Sequence, residues 1–320
     1  MTLHDAQQEL ISGLEKIYGA REAAVVADWV MENISGRKKI DRLVRKTEPL
    51  PTPALELLQK YSAELLTHRP VQYVLHESWF AGMKFYVDEH VLIPRPETEE
   101  LVEWVAAEAM GMAEHSPNSG SAITAPLSLL DVGTGSGCIA VALAKKLQGP
   151  AAQSPQRSQA AASQKQMPQT FLPEPLIYAC DISADALSVA ERNASAHATP
   201  VQFMQLDFLD SRQRATLPPV HLLVSNPPYI PLKDKEGMAR NVVGFEPHLA
   251  LFVDNGDPLI FYRALAGHAR EKLLPGGGIF VEIHEDLAAG VIAVFQEAGL
   301  LGIVVKRDMQ GKERMIKATR

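Results

Sequence analysis

Cysteine is scarce in this 320-residue sequence, and its scarcity excludes two kinds of small, cross-linked domain. The two cysteines, Cys138 and Cys180, form no Cys-x-x-Cys pair. A disulfide scaffold and a cysteine-rich zinc site are therefore excluded. The ten histidines show no His-Glu-x-x-His or other ligand spacing, so we expect no metal site.

Long apolar runs and an excess of basic residues are missing as well. No stretch approaches 18 consecutive apolar residues, so we expect no membrane span. The 31 Lys and Arg residues are outnumbered by 38 Asp and Glu residues, and a net charge of −7 argues against a protein that holds nucleic acid mainly by neutralising phosphates. The N-terminus lacks the basic-then-apolar order of a signal peptide, and we predict a protein of the reducing cytoplasm.

Hydrophobic periodicity divides the chain into three parts. Residues 1–70 show apolar residues at helical spacing and no period-two run, which predicts a small helical bundle. Residues 71–96 contain two short strand-like segments around Gly82 and then a proline-rich stretch, which predicts a β-hairpin connector. A basic cluster in the first part is either a solvated helix face or a contact surface for a partner. Its members are Arg37, Lys38, Lys39, Arg42, Arg45 and Lys46.

The third part, residues 97–320, alternates apolar strands with amphipathic helices, a pattern typical of a parallel sheet covered on both faces. The last two strands flank Gly311 and are joined by too few residues for a crossover helix, so they must pair antiparallel. We predict an α/β fold with a seven-stranded, doubly wound, Rossmann-like sheet. Residues 115–126 form a predicted linker. Residues 149–175 are predicted to be a disordered loop, because their Gln, Ala, Ser and Pro residues cannot bury enough apolar surface.

A glycine-rich loop follows the first strand of this part. It consists of Gly133, Thr134, Gly135, Ser136 and Gly137. Such a loop at a helix N-terminus can approach a ligand closely, although it could equally be a tight turn. A nucleotide site also needs an acid at the end of the second strand, about 20 residues on. Asp181 lies 48 residues after Gly133, and 21 once the 27-residue segment 149–175 is set aside. With Asp207 ending the third strand, the pattern favours NAD or S-adenosylmethionine.

The fourth strand ends in Asn226, Pro227, Pro228 and Tyr229. At the carboxyl end of a parallel strand, this segment is expected in the crevice where such sheets bind ligands. The prolines leave backbone carbonyls as unpaired acceptors, Asn226 adds a side-chain acceptor and Tyr229 adds a flat face. These features suit a planar nitrogen with two hydrogens, such as an amide or an aromatic amine. Holding both hydrogens favours the positive charge that develops as the nitrogen attacks a methyl group.

These motifs resemble those of class I S-adenosylmethionine-dependent methyltransferases that modify planar nitrogens. The run Ile93-Pro94-Arg95-Pro96-Glu97-Thr98-Glu99 is similar to that of the HemK/PrmC family, the peptide chain release factor glutamine methyltransferases. The run Phe245-Glu246-Pro247 followed by Leu249-Ala250-Leu251 also matches the pattern of that family. The resemblance covers nearly the whole chain, apart from the long segment 149–175.

The resemblance implies methyl transfer to the side-chain amide nitrogen of the glutamine in the Gly-Gly-Gln motif of a release factor. It implies that residues 1–70 recognise this substrate and that residues 133–137, Asp181 and Asp207 bind the cofactor, with Phe208 against its adenine. The Asn226–Tyr229 segment would hold the glutamine amide. Asn226 would also contact the cofactor. We expect a monomer that binds release factors and no DNA.

Three other functions remain open at this point. A ribosomal-protein glutamine methyltransferase shares most of these motifs but tends to lose the Arg-Pro-Glu-Thr-Glu pattern, which is intact at residues 95–99. An adenine-specific DNA methyltransferase can use the same Asn-Pro-Pro-Tyr segment, but the net charge and the lack of a basic target-recognition domain disfavour it. A non-catalytic adaptor would not need Gly133, Asp181 and Asn226 together.

Overall fold

A computed structural model describes residues 1–114, 126–148 and 174–320. The chain forms two compact units, the first from residues 1–78, 87–89 and 236–246 and the second from most of the remainder. The predicted linker and disordered loop lie almost wholly outside the described residues. Within the described part, no helix is both long and apolar enough to cross a membrane.

The predicted helical N-terminal region is present as five helices within the described residues. They are α1 (Leu3–Leu14), α2 (Ala20–Ser35), α3 (Lys39–Val44), α4 (Thr52–Leu65) and α5 (Val71–Leu75). Helix α1 begins in a capping box, in which Thr2 accepts from the backbone N–H of Asp5 and the Asp5 carboxylate accepts from that of Thr2. Helix α5 falls at the start of the predicted connector, and its Val71, Val74 and Leu75 are buried in the core of the helices.

The basic cluster is largely paired with acids inside the first unit. Arg42 is only 3% exposed, donates to the backbone carbonyl of Arg37 at 2.6 Å and forms an ion pair with Asp28. Arg45 instead makes a solvent-exposed pair with Glu48. Arg42 therefore ties α3 to α2, a structural role that neither interpretation of the cluster had anticipated.

The second unit contains the predicted hairpin and a large α/β domain. The hairpin strands are β1 (Ser78–Phe80) and β2 (Met83–Phe85). The remaining strands are β3 (Ser128–Val132), β4 (Leu176–Asp181), β5 (Val201–Gln205), β6 (Val220–Ser225), β7 (Ile230–Pro231), β8 (Phe252–Val253), β9 (Leu273–Glu282), β10 (Leu301–Arg307) and β11 (Glu313–Thr319). The longer helices of this unit are α6 (Pro96–Glu114), α7 (Cys138–Leu147), α8 (Ala184–Ala196), α12 (Ile260–Lys272) and α13 (Ala288–Glu297).

Short helices complete the chain. They are α9 (Ser211–Arg214), α10 (Arg240–Val243), which belongs to the first unit, and α11 (His248–Leu251), together with a 3₁₀ turn over Leu232–Gly237. None of these short elements carries a periodic apolar pattern, which is why sequence analysis did not find them.

The predicted seven-stranded, doubly wound sheet is confirmed. Within the described residues, its strand order is β10-β11-β9-β6-β3-β4-β5, with parallel pairing throughout except along β11, which runs antiparallel to both β9 and β10. Neighbouring residues of β3 face opposite ways: Leu129 packs with α6 and α7, whereas Leu130 packs with α12 and α13. Helices therefore cover both faces, and the carboxyl ends of β3, β4 and β6 meet where the strand order reverses.

The buried position of Arg42 generates a stability prediction. Arg42→Ala would leave Asp28 and the Arg37 carbonyl without their partner, and we expect the unfolding free energy of the helical unit to fall by about 2 kcal/mol. Arg45→Ala, which removes an exposed ion pair, is the matched control and should leave the urea midpoint nearly unchanged. Equal losses in both variants would contradict a structural role specific to Arg42.

Candidate active site

The strand register brings four candidate site positions to one level at the edge of the sheet. Val132 of β3 pairs with Cys180 of β4 and with Ser225 of β6, and Ser225 in turn pairs with Val281 of β9. The residues that follow these four strand positions are Gly133, Asp181, Asn226 and Glu282. Parallel pairing therefore places a glycine loop, two carboxylates and an amide side by side.

The glycine loop takes a conformation that only glycine adopts readily. Gly133, Gly135 and Gly137 have φ angles of +69°, +52° and +77°, in the left-handed region. A Cβ at Gly137 would also lie 3.1 Å from the Cβ of Ala190, so close packing against α8 requires glycine there. At Gly133 and Gly135 nothing lies within 4 Å of an added Cβ, and both residues line an open cavity.

Asp181 anchors this loop. Its carboxylate accepts the backbone N–H of Gly135 at 2.9 Å and that of Ser183 at 3.0 Å. Burial raises the pKa of Asp181, while these backbone hydrogen bonds lower it. The sequence spacing had predicted an acid in register with the loop once residues 149–175 were set aside. In the structure, Asp181 and the loop are in direct contact.

A cavity of the second unit opens at this edge. Predicted site residues among its walls are Gly133, Gly135, Asp181, Asp207, Phe208, Asn226, Pro227 and Pro228. Apolar walls that sequence analysis had not singled out come from Val91, Leu92, Ile182, Leu206 and Leu209. Phe208 is only 5% exposed and packs edge-on against His268, so the surface that it presents to the cavity is small.

Four predicted residues are not among the walls of this cavity. The side chains of Thr134 and Ser136 are buried, and the Thr134 hydroxyl donates to Asp131 at 2.6 Å. Gly137 packs against α8, as described above. Tyr229 is half-buried, and its hydroxyl donates to Glu282 at 3.4 Å rather than standing free. In the structure these four residues pack beneath the glycine loop and the Asn-Pro-Pro segment and do not face the cavity.

Asn226 is held by a buried hydrogen-bond chain. Its side-chain N–H donates to the Thr98 hydroxyl at 3.1 Å, and that hydroxyl donates to the Glu282 carboxylate at 2.6 Å. Thr98 and Glu282 are each 2% exposed. Burial raises the pKa of Glu282 to about 7, against the opposing effects of the Thr98 hydrogen bond and the charge of Arg314.

The sequence pattern had marked neither Thr98 nor Glu282 as a candidate site residue. Thr98 was noted only as part of the Arg-Pro-Glu-Thr-Glu pattern. Glu282 ends an otherwise apolar parallel strand, which is the signal that identified Asp181 and Asp207. A search for acidic residues at the end of every parallel strand would therefore have found Glu282.

The residues of the cavity fit S-adenosylmethionine. A carboxylate at the end of β4 can accept both hydroxyls of a ribose, and apolar side chains after β4 and β5 can enclose an adenine ring. The space beside Gly133 and Gly135 that a Cβ would enter is empty, so the backbone of the loop can approach the rest of the ligand. Among the described residues, no cluster of His, Cys, Asp and Glu is placed to hold a metal ion.

The raised pKa of Glu282 makes stability depend on pH. The folded protein binds this proton more tightly than the unfolded chain, so its contribution to stability is full below about pH 4.5 and is lost as the pH rises through about 7. Glu282→Gln should therefore flatten the decline in unfolding free energy over that range. Burial also raises the pKa of Asp131 to about 7. Asp131 is present in both proteins, so the difference between their two stability curves reports Glu282 alone. Parallel stability curves would show that Glu282 does not titrate there.

Comparison with known proteins assigns the family. Residues 5–75 match the family model described as PrmC N-terminal domain. The chain is 30% identical to a release factor glutamine methyltransferase of Flavobacterium psychrophilum over 99% of both chains, and 37% identical to one of Chlorobaculum tepidum over 84% of this chain and 81% of that protein. A protein-(glutamine-N5) methyltransferase structure from Alicyclobacillus acidocaldarius is 25% identical, with a TM-score of 0.37 over 71% of this chain and 94% of that one. By the sequence comparisons, the chain belongs to the family of release factor glutamine methyltransferases.

Proposed function

We propose that this enzyme transfers a methyl group from S-adenosylmethionine to the side-chain amide nitrogen of the glutamine in the Gly-Gly-Gln motif of peptide chain release factors. The observation that carries the proposal is that Asn226, Pro227 and Pro228 share one cavity with the glycine loop and Asp181. Acceptors that suit an amide thus lie beside a loop and a carboxylate that suit a nucleoside, in a chain that belongs to this family.

The cofactor half of the site is formed by the ends of β3, β4 and β5. Asp181 would accept the ribose hydroxyls, with its orientation fixed by the N–H groups of Gly135 and Ser183. Asp207, whose carboxylate is held by the N–H of Leu209, and the adjacent Phe208 would border the adenine. When bound, the cofactor supplies an electrophilic methyl group.

The substrate half is formed by the Asn-Pro-Pro segment. The Asn226 side-chain oxygen and a proline carbonyl would each accept one N–H of the glutamine amide, which fixes the nitrogen for attack. An amide nitrogen is a weak nucleophile because its lone pair is delocalised. Both acceptors stabilise the positive charge that grows on it, in a site with mostly apolar walls.

Proton release needs no dedicated base. Once the nitrogen carries the methyl group, it is strongly acidic and releases its extra proton to solvent water. Burial and the neighbouring Glu282 raise the pKa of Tyr229, so its phenol stays protonated and acts as a donor to Glu282. The proposal further places the enzyme in the cytoplasm as a monomer that binds release factors and neither DNA nor membranes.

Label transfer tests this proposal against its rivals. The protein would be incubated with methyl-labelled S-adenosylmethionine and, separately, a release factor, a ribosomal protein with a methylatable glutamine and duplex DNA. We expect label only on the release factor, at the glutamine of its Gly-Gly-Gln motif, and about 100-fold slower transfer by Asn226→Ala. A release factor with that glutamine changed to alanine is the control. Labelling of DNA or of the ribosomal protein instead would overturn the proposal.

Calorimetry tests the cofactor site. Asp181→Ala removes a charged acceptor of the ribose and the anchor of Gly135, and charge-assisted hydrogen bonds contribute roughly 1.5–3 kcal/mol each. S-adenosylmethionine should therefore bind at least about tenfold more weakly. Asp185→Ala removes the same charge from an exposed position of α8 outside the cavity walls and should bind normally. Unchanged affinity in Asp181→Ala would remove Asp181 from the site.

A further inference from the structure

The hydrogen-bond chain behind Asn226 has a direction that chemistry fixes. An ionised carboxylate can only accept, so the Thr98 hydroxyl must give its single proton to Glu282. The Thr98 oxygen is then left as an acceptor, and Asn226 must turn its NH₂ group toward it. The amide oxygen of Asn226 remains available for another partner.

An asparagine amide without such neighbours can present either end. Its oxygen and NH₂ group are nearly equal in size, so steric packing alone hardly distinguishes the two orientations. In the reversed orientation, the NH₂ group would face the N–H groups of a substrate amide, and two donors would oppose each other. One acceptor for the glutamine amide would then be missing.

We propose that Thr98 and Glu282 are positioning residues that hold the Asn226 amide with its oxygen toward the substrate nitrogen. This inference rests on the proposed function, because it assigns how the same site recognises an amide. Neither residue touches the substrate; both act through Asn226. We call the hydrogen-bonded chain from Glu282 through Thr98 to Asn226 the amide relay.

The groups around Glu282 decide whether its carboxyl group is ionised, and therefore the direction of the amide relay. Tyr229 donates to its second carboxylate oxygen, and Tyr262 donates to its backbone carbonyl at 3.0 Å. Arg314 of β11 favours the ionised carboxylate, whereas Glu97 of α6 disfavours it. Cys138 of α7 also lies within electrostatic range, and burial raises the pKa of its thiol to about 12, so it is neutral.

Protonation of Glu282 would remove the constraint. A protonated carboxyl can donate to Thr98, whose hydroxyl can then donate to the oxygen of Asn226 and reverse the amide. With the pKa of Glu282 raised to about 7, this change falls near neutral pH. The methyl-transfer step should therefore slow as the pH falls through about 7.

A double-mutant cycle tests whether Thr98 acts through Asn226. Thr98→Val keeps the shape but removes the hydroxyl, and single-turnover methylation should slow about tenfold, with S-adenosylmethionine affinity unchanged within about twofold. Thr98→Ser should recover most of the rate. In the Asn226→Ala background, Thr98→Val should cost nothing further. A full tenfold loss in that background, or a wild-type rate in Thr98→Val alone, would overturn the proposal.

A matched control accounts for the general effect of deleting a buried hydroxyl. Thr199 is 7% exposed and donates to the backbone carbonyl of Ala194, away from the cavity walls. Thr199→Val should leave the methylation rate unchanged. A similar slowing in Thr199→Val would mean that Thr98→Val acts through stability, which would overturn the positioning role.

A second measurement uses Glu282 and remains decisive if Thr98→Val does not fold. Glutamine at 282 carries no titratable proton, and its NH₂ group can donate to Thr98 as the protonated carboxyl can. Above about pH 8, Glu282→Gln should turn over as slowly as wild type does well below pH 7, and its rate should not change as the pH crosses about 7. An unaltered pH profile would overturn the role of Glu282.

Side-chain amide resonances provide a readout apart from activity. The Asn226 NH₂ signals, assigned by their loss in Asn226→Ala, should move between wild type and Thr98→Val and, in wild type, as the pH crosses about 7. Signals unaffected by either change would count against the amide relay. Failure of the proposed function looks different: wild type itself would then leave the release factor unlabelled, whatever the resonances show.

Discussion

The site depends on the parallel pairing of β3 with β4 on one side and with β6 on the other. This pairing sets Val132, Cys180 and Ser225 side by side, so the glycine loop, Asp181 and Asn226 all begin at one level. The Ser225 hydroxyl adds a buried hydrogen bond to the carbonyl of Val132 at 2.8 Å. A slip of one strand by a single residue would turn Asp181 or Asn226 away from the cavity.

Buried charge is the main cost of this arrangement, and the structure offsets it in two ways. The charge of Asp181 is stabilised by the backbone N–H groups of Gly135 and Ser183. The hydrogen bond from Gly135 also fixes the conformation of the glycine loop. Glu282 is compensated by the hydroxyls of Thr98 and Tyr229 and by the charge of Arg314. In both cases burial still raises the pKa, because the compensating contacts do not fully replace the lost hydration.

Different strands form the cofactor half and the substrate half of the candidate site. The ends of β3, β4 and β5 provide a carboxylate and apolar walls, which suit a nucleoside. The ends of β6 and β9 provide an oriented amide and its buried support, which suit the amide of a substrate. Because β6 is the immediate neighbour of β3, these two halves of the candidate site lie side by side.

The sequence by itself determined most of the fold and about half of the candidate site. Strand and helix periods are local properties, and alternating apolar runs require helices on both faces of a parallel sheet, so the seven strands and the antiparallel β10–β11 pair could be predicted. The glycine loop, Asp181 and the Asn226–Tyr229 segment were found because each follows a recognisable strand at a fixed distance. The tertiary structure alone decided that Arg42 is a buried link between helices and that Tyr229 faces Glu282. It also decided that Asn226 rests on Thr98, 128 residues earlier in the chain. A hydrogen bond between distant residues leaves no periodic trace in the sequence, because its geometry exists only after the strands have paired.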